Sequence, residues 1–140
     1  MNKCVFCNKK KMEEQGILYE DDQCYVTLNL YPISYGHLLV IPKKHYKDII
    51  ETPPNTLSDM APIIRKFVIE VNKMFKPKNI MIITNAGDEE EVKHFHIHII
   101  PIYEKRGVSS RVKLYKMRKK LNKKEKEALL KDFKKFENKD

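Results

Sequence analysis

Apolar residues at Leu57, Met60, Ala61, Ile64, Phe67, Val68, Val71 and Phe75 recur every three or four positions. That period predicts one amphipathic helix packed on a sheet through a single stripe. Pro53–Asn55 opens it and Pro77 follows its end, while Pro62 falls inside the pattern and either starts the main helix or kinks it. Elsewhere the runs are short and bounded by turn residues, as strands are. Ile17–Glu20 and Gln23–Asn29 form two of them, with Asp21–Asp22 as the turn between. His37–Ile41 is a buried strand stopped by Pro42, so residues 23–41 read as a hairpin around the polar loop Tyr31–Gly36. Asn79–Thr84 and His94–Ile100 supply two further strands. Near the C-terminus Asn122 followed by Glu125 resembles a capping box. Leu129, Leu130, Phe133 and Phe136 then form a helical stripe that must cover either the body or a second subunit. No internal repeat interrupts this order.

Composition changes the picture in one respect. The 140 residues suffice for one domain with its own core. The net charge of +9 is unevenly placed: residues 1–103 hold 13 basic and 13 acidic side chains, and residues 104–140 hold 15 and 6. A neutral body is therefore followed by a basic extension. Its plain reading is a solvated lysine-rich helix, and its alternatives are contact with nucleic acid or with a partner subunit. No apolar run approaches the about 20 residues of a membrane span, and the N-terminus lacks the apolar stretch of a secretory signal. Three cysteines argue against a disulfide framework and for a reduced, cytoplasmic setting.

The strongest chemical signal is Lys93–Pro101, KHFHIHIIP. Strand side chains alternate faces, so His94, His96 and His98 share one face and Phe95, Ile97 and Ile99 the other. One histidine on an apolar strand is commonly a satisfied core residue. Three in strict alternation point to a metal site or a nucleophilic centre. Neutral imidazole attacks phosphorus well, provided its other N–H is held by an acceptor. The second signal is Cys4-x-x-Cys7, which by itself is ambiguous between redox, zinc and chance. A zinc site needs two more ligands, and His45 and one of the three strand histidines are available. Cys24 sits in a strand and reads as a buried apolar residue.

CVFC at 4–7, LNLYPISYGHLLVIPKKH at 28–45, and the stretch from NAG at 85–87 to VKHFHIHIIP ending at 101 together resemble the histidine-triad (HIT) superfamily of nucleotidyl hydrolases and transferases. The resemblance covers residues 1–103 as a HIT domain and leaves 104–140 as a basic extension with a helix near 122–137. It implies an α+β fold: a five-stranded antiparallel sheet, one main packed helix and a C-terminal helical tail. It further implies a homodimer acting on nucleotides whose α-phosphate carries a leaving group, such as dinucleoside polyphosphates or nucleoside phosphoramidates. By resemblance His96 is the nucleophile that forms a nucleotidyl-histidine intermediate, and His98 orients it and binds phosphate oxygen. Cys4, Cys7, His45 and His94 match the ligands of a structural zinc. His37 matches a further active-site histidine, Asn29 a ribose contact and Asn85 a phosphate-loop contact. Thr27, Leu28 and Leu30 match the base pocket, and Glu91 is counted with the nucleotide-binding positions.

The sequence departs from that pattern between Asn85 and His94. The family has a Gly-rich loop there, with a Gln four residues before the first histidine. This chain has GDEEEVK, with Glu90 at the Gln position. Gly-rich loops bring backbone N–H groups to phosphate oxygens, whereas carboxylates facing a polyphosphate would repel it. Two alternatives stand beside the nucleotide hydrolase or transferase, a binding module and a different enzyme. One is a nucleotide-binding module of low turnover, motivated by the acidic loop. The other removes adenylate from nucleic-acid 5′ ends by way of the basic extension.

Overall fold

The computed structural model describes residues 4–88, 92–104 and 119–137. Glu89, Glu90 and Glu91 of the acidic loop lie outside them. The chain starts with a 3-10 turn, Val5–Cys7, and a short helix α1, Lys9–Gln15. Five strands follow: β1 (Ile17–Glu20), β2 (Cys24–Leu28), β3 (Leu38–Pro42), β4 (Asn79–Ile83) and β5 (Ile97–Ile102). They form one antiparallel sheet in the order β1-β2-β3-β5-β4. Helix α2 (Pro54–Phe75) lies between β3 and β4 in sequence, and α3 (Lys123–Glu137) closes the described chain. This is the expected α+β architecture. No helix among the described residues is long and apolar enough to cross a membrane.

Local chemistry explains the boundaries. The β1–β2 turn is closed by Asp21, whose Oδ1 accepts the N–H groups of Gln23 (2.7 Å) and Cys24 (2.8 Å). Helix α2 runs unbroken through Pro62, so that proline does not start it. The carbonyl four residues earlier belongs to Ser58, and both positions are exposed, so water can take the bond that proline's missing N–H leaves open. The helix ends where Lys76 adopts a left-handed conformation (φ 46°), its N–H bonded to the Asn72 carbonyl, and Pro77 prevents continuation. Helix α3 starts with the reciprocal cap read from sequence. Asn122 Oδ1 accepts the Glu125 N–H at 2.8 Å, and Glu125 Oε1 accepts the Asn122 N–H at 3.1 Å.

The sheet separates two apolar layers. On one face Val26, Leu28, Leu38, Val40, Phe95 and Ile99 pack under Met60, Phe67 and Val71 of α2, with Leu129 and Phe133 of α3 in the same cluster. The tail helix thus covers the body of its own chain. On the opposite face Tyr25, Leu39 and Ile41 are covered by Phe6 and by Met12 of α1. The N-terminal segment is accordingly a lid of structure over the second face, which also carries the histidines.

One boundary differs from the expected pattern. The last strand begins at Ile97, not His94, and extends to Ile102. Its ladder with β3 runs from Leu38↔Ile99 to Val40↔Ile97 and stops as β3 approaches Pro42, which has no N–H to give. Ahead of that point other bonds hold the chain. The Phe95 N–H reaches the Tyr46 carbonyl (2.7 Å), and the His94 ring bonds the Pro42 carbonyl (2.7 Å).

Candidate active site and metal centre

The register places a row of side chains across one face of the sheet. Ile17 pairs with Thr27, Thr27 with Leu39, Leu39 with His98, and His98 with Ile83. His96 and His94 precede His98 on the same face. All three are buried, but in a graded way: His94 is 0% exposed, His96 7% and His98 9%. The slight exposure of the last two sets them nearer the solvent than His94.

Hydrogen bonds fix which nitrogen of each ring carries the proton. His96 Nδ1 lies 2.7 Å from the His94 carbonyl, so it must donate, and Nε2 keeps its lone pair. Thr84 holds the same residue from behind by donating Oγ1–H to the His96 carbonyl at 2.7 Å. The Ile33 N–H donates to His37 Nδ1 at 3.0 Å, so neutral His37 carries its proton on Nε2. That nitrogen lies 2.9 Å from His98 Nδ1, which therefore accepts. Neutral His98 then presents an N–H at Nε2. The two outer rings meet edge to face, 4.8 Å apart, as a lone-pair bearer beside a donor. Gly36 sets up this relay. It holds φ +93°, and a Cβ there would come within 2.9 Å of the Phe75 ring.

His94 faces elsewhere. Its Nε2–H donates to the Pro42 carbonyl, which turns the Nδ1 lone pair toward two sulfurs. Cys4 Sγ and Cys7 Sγ each lie 3.4 Å from it, His45 Nδ1 lies 3.1 Å away, and Cys7 Sγ is 3.3 Å from His45 Nδ1. All four donor atoms lie within 4.8 Å of one another. A zinc tetrahedron with Zn–S about 2.3 Å and Zn–N about 2.0–2.1 Å has S···N and N···N edges of about 3.3–3.6 Å. The four side chains therefore fit a zinc ion, and the Pro42 carbonyl supplies the outer hydrogen bond that a ligating histidine needs. Burial, with His45 nearby, lowers the His94 pKa to about 4, which keeps the ring neutral. Burial pushes the Cys4 thiol up, so the thiolate at this position calls for a compensating cation. Cys24 stands apart from this cluster in β2, buried, with its thiol pushed up to about 12 by burial and by Asp21.

The remaining sequence-selected residues fall into distinct settings. Asn29 adjoins the relay: its N–H donates to the His37 carbonyl (3.1 Å), its Oδ1 accepts from Tyr31, and its Nδ2 lies 3.4 Å from His37 Nε2. Asn85 is exposed, just past the end of β4. Thr27 is fully buried on the histidine face. Leu28 points the other way, into the core under α2, so its side chain is on the opposite face from the histidines. Leu30 is half-buried and its carbonyl accepts the Leu121 N–H (2.8 Å), which brings the start of the tail beside the Asn29 loop. Glu91 lies outside the described residues.

Sequence reading passed over three contributors. Phe6, between the two cysteines, packs edge to face on both His94 (5.8 Å) and His96 (5.1 Å). Gln15 donates to Thr27 Oγ1 and to the Leu28 carbonyl, each at 2.8 Å. Asp48 is buried and accepts the Gly87 N–H at 3.0 Å. The Phe6 position was visible in CVFC, where an apolar side chain between two ligands must pack on what they hold. Nothing local marks the other two.

Residues 10–105 match the HIT domain family. An uncharacterised HIT-like protein of Saccharolobus solfataricus is 35% identical over 103 residues, spanning 71% of this chain and 74% of that one. The adenylylsulfatase HINT3 of Arabidopsis thaliana is 37% identical over 108 residues, spanning 74% of this chain and 54% of that protein. Among solved structures, a hypothetical histidine triad nucleotide-binding protein from Sulfolobus tokodaii strain 7 superposes with a TM-score of 0.80 at 31% identity, covering 96% of this chain and 93% of the other.

Proposed function

The chain belongs to the HIT domain family, and from that premise we propose that it is a nucleotidyl hydrolase or transferase cleaving at the α-phosphate of adenosine nucleotides. The observation that supports the reading is the tautomer of His96: its Nδ1–H is spent on the His94 carbonyl, which leaves Nε2 as the basic nitrogen of the neutral ring. In the first step Nε2 attacks the α-phosphorus in line, and the bond to the leaving group breaks. The leaving amine or phosphate takes up a proton as it departs. His98 Nε2–H, with Asn85, stabilises the equatorial oxygens where charge develops. Water, or inorganic phosphate, then displaces His96 from the nucleotidyl-histidine intermediate. Asn29 holds the ribose, Thr27 and Leu30 flank the base side, and Leu28 contributes from behind through the core.

Cys4, Cys7, His45 and His94 are read as the holders of a structural zinc. These four residues would fill every position of a tetrahedral zinc, which would then supply a cross-link and not a bound water. We read residues 1–103 as the HIT domain, 104–140 as a basic extension, and the working form as a cytoplasmic homodimer. The exposed edge strand β4, with Ile82 51% exposed, is the surface that supports pairing of two copies.

Product analysis tests the enzyme reading. Wild type and His96→Ala are incubated with adenosine phosphoramidate, diadenosine tetraphosphate and adenylyl sulfate, and AMP and ADP are separated by chromatography. Wild type alone should release product, the variant should lose at least 1,000-fold, and AMP binding should persist in both. Equal turnover by His96→Ala would overturn the assignment. No product from wild type, with AMP still bound, would leave a binding module.

A second reading rests on the extension. The backbone bond from Leu121 to Leu30 brings the exposed Lys119 and Lys120 to the loop that follows Asn29. A nucleic-acid strand ending in adenylate could lie along such a path. Its affinity would fall steeply with salt. Cutting the chain after Gly107 would remove Leu129 and Phe133 from the core, so glutamine replacement of Lys119 and Lys120 is the cleaner test.

A further inference from the structure

The loop between β4 and β5 leaves the sheet beside the reacting histidines and returns to them. At its start Thr84 donates to the His96 carbonyl. At its end the Phe95 N–H bonds the Tyr46 carbonyl at 2.7 Å. Its middle is tied to the two residues after Tyr46. Lys47 Nζ lies 2.6 Å from Asp88 Oδ1, and Asp48 Oδ2 accepts the Gly87 N–H at 3.0 Å. Three consecutive residues thus hold three points of one loop, directly after the candidate metal ligand His45.

Asp48 is the centre of this arrangement. It is 3% exposed, unlike most carboxylates, and each side-chain oxygen has a backbone donor. Oδ1 takes the local Ile50 N–H at 2.9 Å, forming an Asx turn, while Oδ2 reaches 39 residues on to Gly87. Thr52 Oγ1 closes the turn by donating to the Asp48 carbonyl at 2.8 Å. Gly87 itself sits at φ +118°, a conformation that side-chain-bearing residues rarely adopt. A buried acceptor for its N–H is what keeps the loop in that bend. Asn85 lies two residues before it.

We propose that Asp48 is a positioning residue for the reaction: through Gly87 it fixes the loop bearing Asn85 against His96, while the exposed Lys47–Asp88 pair offsets one charge of the acidic run. The inference rests on the reading of Asn85 and His96 as phosphate-binding and nucleophilic groups.

Asp48→Asn separates the two bonds. An asparagine Oδ1 can keep the local turn, but its NH2 then faces the Gly87 N–H and cannot accept it. Asp21→Asn is the matched control, because Asp21 also closes a turn with Oδ1 and accepts Tyr19 O–H (2.8 Å) with Oδ2, in the β1–β2 turn at the far edge of the sheet. Three quantities are measured on the full chain: hydrogen exchange of the Gly87 amide by NMR, kcat and KM for adenosine phosphoramidate, and the AMP dissociation constant. Asp48→Asn should speed Gly87 exchange at least tenfold and lower kcat/KM at least tenfold at temperatures where circular dichroism shows it folded. Asp21→Asn should leave both within twofold.

Faster exchange at Gly87 with unchanged kcat/KM would overturn the proposal, leaving Asp48 as a structural residue. So would a protected Gly87 in the variant. A wild type without turnover refutes the enzymatic reading instead, and the clamp is then judged by AMP affinity, expected tenfold weaker in Asp48→Asn. If Asp48→Asn fails to fold, Lys47→Met takes its place. It breaks only the exposed ion pair, should speed Asp88 exchange and raise KM about threefold, and overturns the proposal if neither moves.

Discussion

Replacing Phe133 by alanine tests whether the basic extension is part of the fold. The side chain is 3% exposed, and its ring lies 5.8 Å from Phe75 and 6.3 Å from Phe67, centroid to centroid. Truncation deletes a whole aromatic ring from the cluster under α2. The neighbours are themselves locked between the sheet and two helices, so collapse into the gap is limited. Buried phenylalanine-to-alanine changes of this kind cost about 3–5 kcal/mol. Against a total stability of about 5–15 kcal/mol, that is a large share. For a domain of this size it corresponds to a fall in Tm of about 10–20 °C. The assay is thermal and urea unfolding of Phe133→Ala beside Lys134→Ala, an exposed neighbour on the same helix that should stay within about 0.5 kcal/mol. Because α3 packs on the face opposite the histidines, turnover per folded molecule should hold within about twofold. A Tm shift below about 3 °C for Phe133→Ala would refute the docking of α3, and with it the argument that the extension completes the core.

Three further outcomes follow from the site. Chelation should lower Tm and expose two thiols, Cys4 and Cys7, to an aromatic disulfide reagent, while Cys24, buried with its pKa pushed to about 12, stays silent until unfolding; three reactive thiols, or none, would contradict this. In chelated protein His94 has a folded pKa of about 4 against an ordinary 6.5, so the unfolded chain takes the proton first and stability must fall as pH drops from about 6.5 to about 4. The ceiling is about 3 kcal/mol, reduced to roughly half by water at the open cysteine side, and His94→Gln should remove that slope in urea titrations at several pH values. Gly36→Ala places a Cβ 2.9 Å from the Phe75 ring at φ +93°; a loss of about 2–4 kcal/mol and a drop in kcat through displaced His37 are expected, and a wild-type Tm would contradict the turn's role.

Much of the sheet is legible in the sequence because strands here are short, β-rich and punctuated. Ile17–Glu20 is read to the residue, and β2, β3 and β4 to within one at each end. The long stripe of α2 is equally plain, although it gives no sign of buried Glu70. Helix α1 escapes the same method because Lys9–Gln15 offers one buried apolar side chain, Met12. Its only sequence marks are the ends, Asn8 capping Lys11 and Gly16 at φ +110°. Alternation cannot locate the start of β5, since an extended chain keeps alternating after its ladder partner is gone. Asp48 is invisible for a different reason: its meaning depends on an N–H 39 residues away. Charge counting places a boundary near residue 103, but net charge carries no information about where an apolar stripe packs. Leu129 and Phe133 tie the extension back into the core.

The three strand histidines show how one repeated residue type acquires different chemistry. In each, one ring nitrogen has a partner that fixes the tautomer, and that partner decides the chemistry of the other nitrogen. The Pro42 carbonyl takes the Nε2–H of His94 and turns Nδ1 toward the cysteines. The His94 carbonyl takes the Nδ1–H of His96 and leaves Nε2 as the nitrogen with the lone pair. His37, set by the Ile33 N–H, gives its proton to His98 Nδ1 and leaves Nε2–H as a donor. On the proposed reading, the roles of metal ligand, nucleophile and oxyanion donor would follow from two backbone carbonyls and one backbone amide. The second assignment also depends on the first, because the carbonyl that fixes His96 belongs to the residue whose ring faces the candidate metal centre. Loss of the ion should therefore broaden or shift the His96 ring resonances before the sheet melts, and unchanged His96 signals in chelated, folded protein would show that the two sites are independent.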